Sequence, residues 1–467
     1  MLAAQKSVAV PDQLLELIQR VSDARRQSDA IFNLVRPGSL YERPIPERHR
    51  IVFYVGHLEA FDWNLLNNTV LESKSAHPQL DRLFAFGIDP VGGGLPTDQP
   101  SDWPSLDAVR DYVIGVRSAL DKHLEKAISE THSPARNGFS LHTLLNVAVE
   151  HRLMHAETLA YMLHQLPLHM KMAKPDAPSL AVWPVIHRSV AIPADRITLG
   201  LDRNTDPFGW DNEYEAHTVD VPAFEIDRYK VTNRQYLEFM SAGGYETRAF
   251  WDEDDWNWKT AQGISRPLFW NKEDNKDKKD KKDKGSGNGW LWRRMFDEVP
   301  LPLDWPVYVS HAEASAYARW AGKLLPTEAE WQRAAYGNLE GNTKPNPWGS
   351  EERNFGSNSS NKKSGNFDFE RWDPVPVNAY PEGQSAFGVH DMLGNGWEWT
   401  STVFGPFPGF EPFPFYRGYS ADFFDGKHFV MRGGSARTAA CMLRPTFRNW
   451  FQAHYQYVYA GFRCVNR

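Results

Sequence analysis

His151 and His155 stand four residues apart in the stretch from Asn146 to Tyr161, Asn-Val-Ala-Val-Glu-His-Arg-Leu-Met-His-Ala-Glu-Thr-Leu-Ala-Tyr. On an α-helix that spacing puts both imidazoles on one face, one turn apart, where they can close on a single metal ion. The bland alternative is a capped or solvated pair that holds nothing. A third ligand has to come from another element. Glu157 lies two residues past His155, about 200° round the helix, so it suits a hydrogen-bonding role behind the ligands better than ligation. His142, His164 and His169 are nearby in sequence and read as ordinary surface or packing residues.

The elements that must position these histidines are helices. From Leu141 to Gln165 nothing interrupts the pattern, and Leu144, Leu145, Ala148, Leu159 and Met162 form an apolar stripe. A helical period also runs from Pro11 to Val35, and another from Arg48 to Asn68 carries His57. Residues 76–104 are rich in Pro, Gly and Asp and read as a long connection. Ser105, followed by Asp107, opens a further helix through Tyr112, Val116, Leu120 and Leu124. Four such helices over residues 1–170 predict a bundle, whose interior commonly holds metal ligands from facing helices.

Residues 171–192, where Pro recurs and periodicity fades, read as a linker. Residues 193–467 read as an irregular α+β module rich in aromatics, with helices at Thr232–Met240, His311–Trp320 and Glu328–Tyr336. Apolar segments at Val219–Ile226 and Phe429–Arg432 suggest strands. Within this module residues 271–289 form a Lys/Asp run followed by Gly-Ser-Gly-Asn-Gly, expected to be a solvated insertion loop because it has no apolar surface to bury.

At 467 residues the chain has room for two domains, and its net charge of −7 without a basic face speaks against nucleic acid. Two cysteines, Cys441 and Cys464, exclude a disulfide framework and any multi-cysteine metal site. No secretory signal and no run of 18 apolar residues is present, so a cytoplasmic protein acting on small molecules, with no membrane partner, is expected. Oligomeric state is not legible.

Several stretches of the second module carry a resemblance. Phe224-Glu-Ile-Asp-Arg-Tyr-Lys-Val-Thr-Asn, Leu325-Pro-Thr-Glu-Ala-Glu-Trp, Gly394-Asn-Gly-Trp-Glu-Trp-Thr, Arg432-Gly-Gly-Ser and Gly461-Phe-Arg-Cys occur in that order. Together they resemble the formylglycine-generating-enzyme/sulfatase-modifying-factor fold, which is C-type lectin-like. Gly56-His57-Leu58 and His151-x-x-x-His155-x-Glu157 resemble a DinB-like iron domain. Fusion of the two modules in this order is similar to the ergothioneine sulfoxide synthases. The resemblance implies a multidomain α and α+β protein, a DinB-like four-helix bundle followed by an FGE-sulfatase domain. It implies His57, His151 and His155 as ligands of Fe(II), with O2 as co-substrate. A thiol is then joined to C2 of the imidazole of Nα-trimethylhistidine, with oxidation of sulfur to the sulfoxide. By ligand chemistry alone, three histidines would also suit zinc.

The same resemblance places Asn449 and Trp450 at the trimethylhistidine site, a Trp face attracting a quaternary ammonium and an Asn amide donating to a carboxylate. Members that use γ-glutamylcysteine carry an Asp and an Arg where this chain has Phe451 and Tyr455. Those anchors are gone, which points toward cysteine or another chalcogen donor, with Arg432, Arg444 and Arg448 as partners for its carboxylate or hydroxyls. Phe407 replaces the tyrosine expected over the oxygen site, leaving Tyr416 or Tyr419, a tyrosine of the helical domain, or water to deliver the proton. Met154 stands between the histidines where the family often has Gln, and cannot donate a hydrogen bond. Three other readings remain: a selenoneine synthase that uses a selenosugar, a formylglycine generator, and a non-catalytic lectin-like protein with structural zinc.

Overall fold

A computed structural model of the chain describes residues 10–71, 73–88, 95–129, 139–174, 180, 183–204, 208–273, 289–349 and 364–467. It divides into two units, Met1–Lys174 and Pro175–Arg467. The first unit is built from α1 (Val10–Phe32), α2 (Ile51–Leu66), α3 (Pro78–Phe86), α4 (Leu106–Ser129) and α5 (Leu141–Gln165). Helix α1 packs along α5, and α2 packs against α3, α4 and α5. Each long helix buries the stripe its period predicts: Leu17, Val21 and Ile31 on α1, Val109, Tyr112, Val116 and Leu120 on α4, and Leu144, Ala148, Leu159 and Met162 on α5. Helix α4 is capped by Ser105 as the sequence suggests, and α5 by Ser140, which the sequence reading did not single out. Ser105 Oγ accepts from the Ala108 N–H at 3.3 Å, and Ser140 Oγ accepts from the Thr143 N–H at 3.1 Å.

Two features of this unit differ from the sequence-based reading. Residues 76–104 are not simply a connection, because they contain α3, with Pro78 in the first turn where a missing N–H costs nothing. Nine residues are too few to display a clear period, and the Pro-Gly-Asp surroundings hide the helix. The second difference is at the end of α2, where the chain passes into a π-type turn, Asn67–Leu71. There the Thr69 hydroxyl donates back to the Leu65 carbonyl and competes with the helical ladder.

The second unit contains β1 (Ser189–Ile192), β2 (Asp195–Leu199), β3 (His217–Val221), β4 (Phe224–Asp227), α6 (Asn233–Ser241), α7 (Glu253–Ala261), β5 (Trp270–Lys272), β6 (Trp290–Arg293), β7 (Glu298–Pro300), α8 (His311–Trp320), α9 (Glu328–Tyr336), β8 (Trp397–Val403), β9 (His428–Arg432), β10 (Asn449–Gln452), β11 (Ala460–Gly461) and β12 (Val465–Asn466). Among the described residues four small sheets result, ordered β1-β4-β12, β10-β9-β8-β11, β2-β3 and β5-β6-β7. Thr232, Ser310 and Thr327 cap α6, α8 and α9 in capping boxes with Gln235, Glu313 and Glu330. The apolar segment Val219–Ile226 is two strands in two sheets, separated at Pro222, which has no N–H to donate to a ladder.

Strand β1 falls inside the stretch read as linker, with Ser189 paired to Asp227; residues 175–179 and 181–182 lie outside the described residues. Of the expected insertion loop, Asn271 and Lys272 belong to β5 and pair with Leu291 and Trp290 of β6. Residues 274–288 lie outside the described residues. Helix α7 was not legible, because its only large apolar residues, Trp256 and Trp258, show no period of 3.6.

The sequence motifs of this unit are spent on its core. Trp397 and Trp399 are buried, and Glu398 between them is fully buried, accepting from Arg463 Nη2 at 2.9 Å and pairing with Lys230 Nζ at 3.2 Å. Trp331 of α9 sits in an apolar cluster with Ile226, Met392 and Val465. Among the described residues no helix is long and apolar enough to cross a membrane.

Candidate metal site

Helices α2 and α5 bring His57, His151 and His155 together, with one ligand atom of each lying within 4.8 Å of the others. Ring centroids are 5.4 Å apart for His57 and His151, 4.9 Å for His57 and His155, and 4.5 Å for His151 and His155. The α5 pair meets by the one-turn spacing, and His57 approaches from the facing helix. Aromatic residues of α2 wall the group: His57 stacks on Phe53 at 4.7 Å and His151 on Phe61 at 3.4 Å.

His57 is oriented from behind by α3, the helix that sequence reasoning missed. Its Nδ1 lies 2.8 Å from the Phe84 carbonyl oxygen. A carbonyl only accepts, so Nδ1 carries the proton and Nε2 keeps its lone pair for a ligand, the arrangement that fixes tautomer and ring angle in metal sites. Gly56 makes the contact possible. A Cβ at that position would stand 2.4 Å from Cγ of the Phe84 ring.

Burial pushes His57 down to about 4, only partly opposed by its hydrogen bond to Phe84, while His49 and Arg152 add to the fall. Burial, reinforced by neighbouring rings and by Arg152, holds His151 and His155 well below the usual imidazole range. All three are therefore neutral near pH 7, the form that binds metal. Nδ1 of His155 is buried without a hydrogen-bond partner among the described residues. Three neutral nitrogen donors facing one another, one of them unsatisfied, fit a cation with positions left over for other ligands. Glu157 is buried on α5 but is not part of the converging group, and Met154 is half-buried beside His155.

A charged layer lies next to the three histidines and was not anticipated. Arg152 is 1% exposed and donates to Glu59 Oε1 at 2.9 Å and Asp62 Oδ2 at 2.6 Å. Two carboxylates three residues apart in the largely apolar α2 were the available signal for a buried cation from another helix.

In the second unit, Trp450 on β10 stacks on Phe404 at 4.2 Å and meets Tyr419 edge-on at 5.4 Å. Tyr419 stacks on Trp210 at 4.0 Å, and Tyr416 lies 5.5 Å from Tyr419. Burial, with Asp211 nearby, pushes the Tyr416 hydroxyl up to about 12. Asn449 Oδ1 accepts from the Trp450 N–H at 2.9 Å. Phe451 is the next residue along the strand, on the opposite face from Trp450, and stacks on Tyr455 at 4.9 Å. The sequence-predicted residues are thus split between two aromatic groups on either side of β10.

The three arginines considered as substrate partners are held by the fold's own acceptors. Arg448 pairs with Glu328 at 2.9 Å and 3.1 Å and lies over the Phe407 ring at 4.0 Å. Arg432 donates to Gln332 at 2.5 Å and pairs with Glu328 at 3.3 Å. Arg444 pairs with Glu213, with Nε at 2.8 Å from its carboxylate. Neither Cys441 nor Cys464 is in a disulfide. Cys464 is fully buried, and burial pushes its thiol well up, so it is not a reactive partner for Cys441.

Residues 20–159 match the DinB superfamily and residues 184–467 the sulfatase-modifying factor enzyme 1-like domain. The chain is 31% identical to the hercynine oxygenase of Mycolicibacterium thermoresistibile over 98% of this chain and 95% of that one. It is 40% identical to the hercynine oxygenase of Mycobacterium tuberculosis over 57% of each chain. It is 30% identical to ergothioneine biosynthesis protein 1 of Neurospora crassa over 91% of this chain and 55% of that one. Matched along nearly its whole length, with a DinB unit followed by a sulfatase-modifying-factor unit, the chain belongs to the hercynine oxygenase family of ergothioneine biosynthesis enzymes.

Proposed function

We propose that the protein is a non-heme iron(II) enzyme that uses O2 to join a thiol to C2 of the imidazole of Nα-trimethylhistidine and to oxidise the sulfur to a sulfoxide. The observation that carries this reading is the convergence of His57, His151 and His155 in neutral form within a chain of this family. Iron held there would supply the O2-dependent redox chemistry and a common point for both substrates. In the balanced reaction the C2–H and S–H bonds break and the C–S and S=O bonds form. O2 takes up four electrons; one oxygen stays on sulfur and the other leaves as water.

The chain's own groups do the positioning. His57 is held by the Phe84 carbonyl with Nε2 outward, and the α5 histidines keep the spacing of one helical turn. Trp450, already ordered by its stack on Phe404, offers a π-face to a trimethylammonium group. The Asn449 amide nitrogen is a donor for a carboxylate, its oxygen being occupied by the Trp450 N–H. Tyr416 keeps its hydroxyl proton through neutral pH and, with Tyr419, is the proton source we assign in place of the tyrosine that Phe407 replaces.

A second reading, with a selenol of a sugar as donor, is favoured by a separate observation. Arg432, Arg444 and Arg448 are paired internally, and Phe451 and Tyr455 are uncharged, which suits a donor without a carboxylate. Incubation of the Fe(II)-loaded protein with trimethylhistidine and, in turn, cysteine, γ-glutamylcysteine and 1-seleno-β-D-glucose separates the two by product mass. A coupled product with any donor, lost in His151→Ala, is expected. Absence of product with all three contradicts the reading.

A further inference from the structure

We infer that Arg152 is a positioning residue for the histidine site, acting by clamping α2 to α5 at the level of the ligands. The inference rests on the reading of the trio as a metal site and concerns what sets its geometry. Arg152 follows His151 directly on α5, about 100° further round the helix, so its side chain leaves beside the ligand face. Its guanidinium then grips three successive features of α2. Nη2 donates to the carbonyl of Leu58, the residue after His57, at 3.0 Å, and to Asp62 Oδ2 at 2.6 Å. Nη1 donates to Glu59 Oε1 at 2.9 Å and to Ser28 Oγ of α1 at 3.3 Å. Arg117 of α4 completes the layer. It donates to the same Glu59 oxygen at 3.0 Å and 2.8 Å, and to both oxygens of Asp29 of α1 at 2.7 Å and 2.8 Å. These bonds tie together α1, α2, α4 and α5 beside the histidines.

Burial argues that this layer is not there for stability alone. Arg152, Glu59 and Asp62 are each 1 to 2% exposed. Ion pairs removed from water that far are commonly no more stabilising than well-packed apolar side chains of the same volume. What they supply is direction: a planar fork bonded to residues one, two and five positions past His57 fixes both the rotation and the slide of α2 against α5, whereas apolar surfaces can slip. A metal site tolerates errors of only a few tenths of an ångström in ligand position. Carboxylates or amides that brace ligands from behind are typically worth 10- to 100-fold in metal affinity.

Charge and geometry predict opposite signs, which makes the idea testable. A cation beside a divalent metal repels it, so on electrostatics alone loss of Arg152 tightens binding, and Arg152→Lys, which keeps the charge, changes nothing. Positioning predicts that Arg152→Lys, which loses the fork, weakens binding. The test is a Co2+ titration of the full-length metal-free protein, following the visible absorption of the bound ion. Wild type that binds no Co2+ overturns the metal-site reading itself. With wild type binding, Arg152→Lys is expected to bind about 10-fold more weakly and with an altered band shape. Wild-type affinity and spectrum in Arg152→Lys overturn the positioning role. Should Arg152→Lys fail to fold by circular dichroism, Asp62→Glu, which keeps the charge but displaces one anchor of the fork, takes its place. A loss of about 3-fold or more supports the clamp, and an unchanged affinity overturns it.

Discussion

The histidines of this chain are set by their surroundings, and outside the trio of His57, His151 and His155, His311 shows it most clearly. It opens α8, stacks on Phe429 at 3.7 Å and meets Trp399 edge-on. Burial pushes it down to about 4 from an ordinary 6.5. The positive end of α8 also disfavours its charged form. As pH falls below 6.5 the unfolded chain takes up a proton that the folded chain refuses until about 4, so stability is lost through that window. By about pH 5 this one residue costs about 2 kcal/mol. Replacement His311→Phe keeps a ring against Phe429 and removes the proton. Urea midpoints at about pH 7 and pH 5 should draw closer together in the variant, and an unchanged gap would show that His311 does not titrate in this way. At this scale the sequence was informative for the meeting of His151 and His155, since four-residue spacing on a helix fixes a shared face. It was silent on Arg152 and Phe84, because their roles depend on which helix they meet.

Among the elements, α3 matters most for the site and was the least legible. It is short, begins with Pro and holds His57 through a backbone carbonyl, so no side chain advertises its role. Gly56 is the sequence trace it leaves: α2 needs a residue without a Cβ where the Phe84 ring lies against it. Gly56→Ala raises intrinsic helix propensity and would stabilise an exposed helix. Here the methyl meets a packed ring and pushes α3 away, at a cost of about 1–3 kcal/mol, and it loosens the hydrogen bond to His57. Thermal unfolding should therefore show a lower midpoint for Gly56→Ala together with weaker Co2+ binding, whereas a stabilised variant would contradict the close packing of α3 on α2. The helices α8 and α9 were legible to the residue because Ser310 and Thr327 cap them and Glu313 and Glu330 close the boxes. Strands β3 and β4 were merged in the sequence reading, since an apolar run does not say which sheet each half joins.

For the whole molecule, two units of different character were evident from where helical periodicity gives way to dense aromatics, Gly and Pro. The topology of the second unit was not, because strands of two to seven residues paired across long sequence separations leave little local pattern. What the molecule does rests on one claim, that the histidine trio of the first unit supports an O2-dependent union of trimethylhistidine with a chalcogen donor. The most direct measurement is oxygen uptake by anaerobically prepared protein loaded with Fe(II), with trimethylhistidine followed in the same sample. Uptake that requires both trimethylhistidine and a thiol or selenol, and loss of trimethylhistidine that keeps pace with it, is the predicted result. No loss of trimethylhistidine with any donor, or the same loss in His57→Ala, would contradict it.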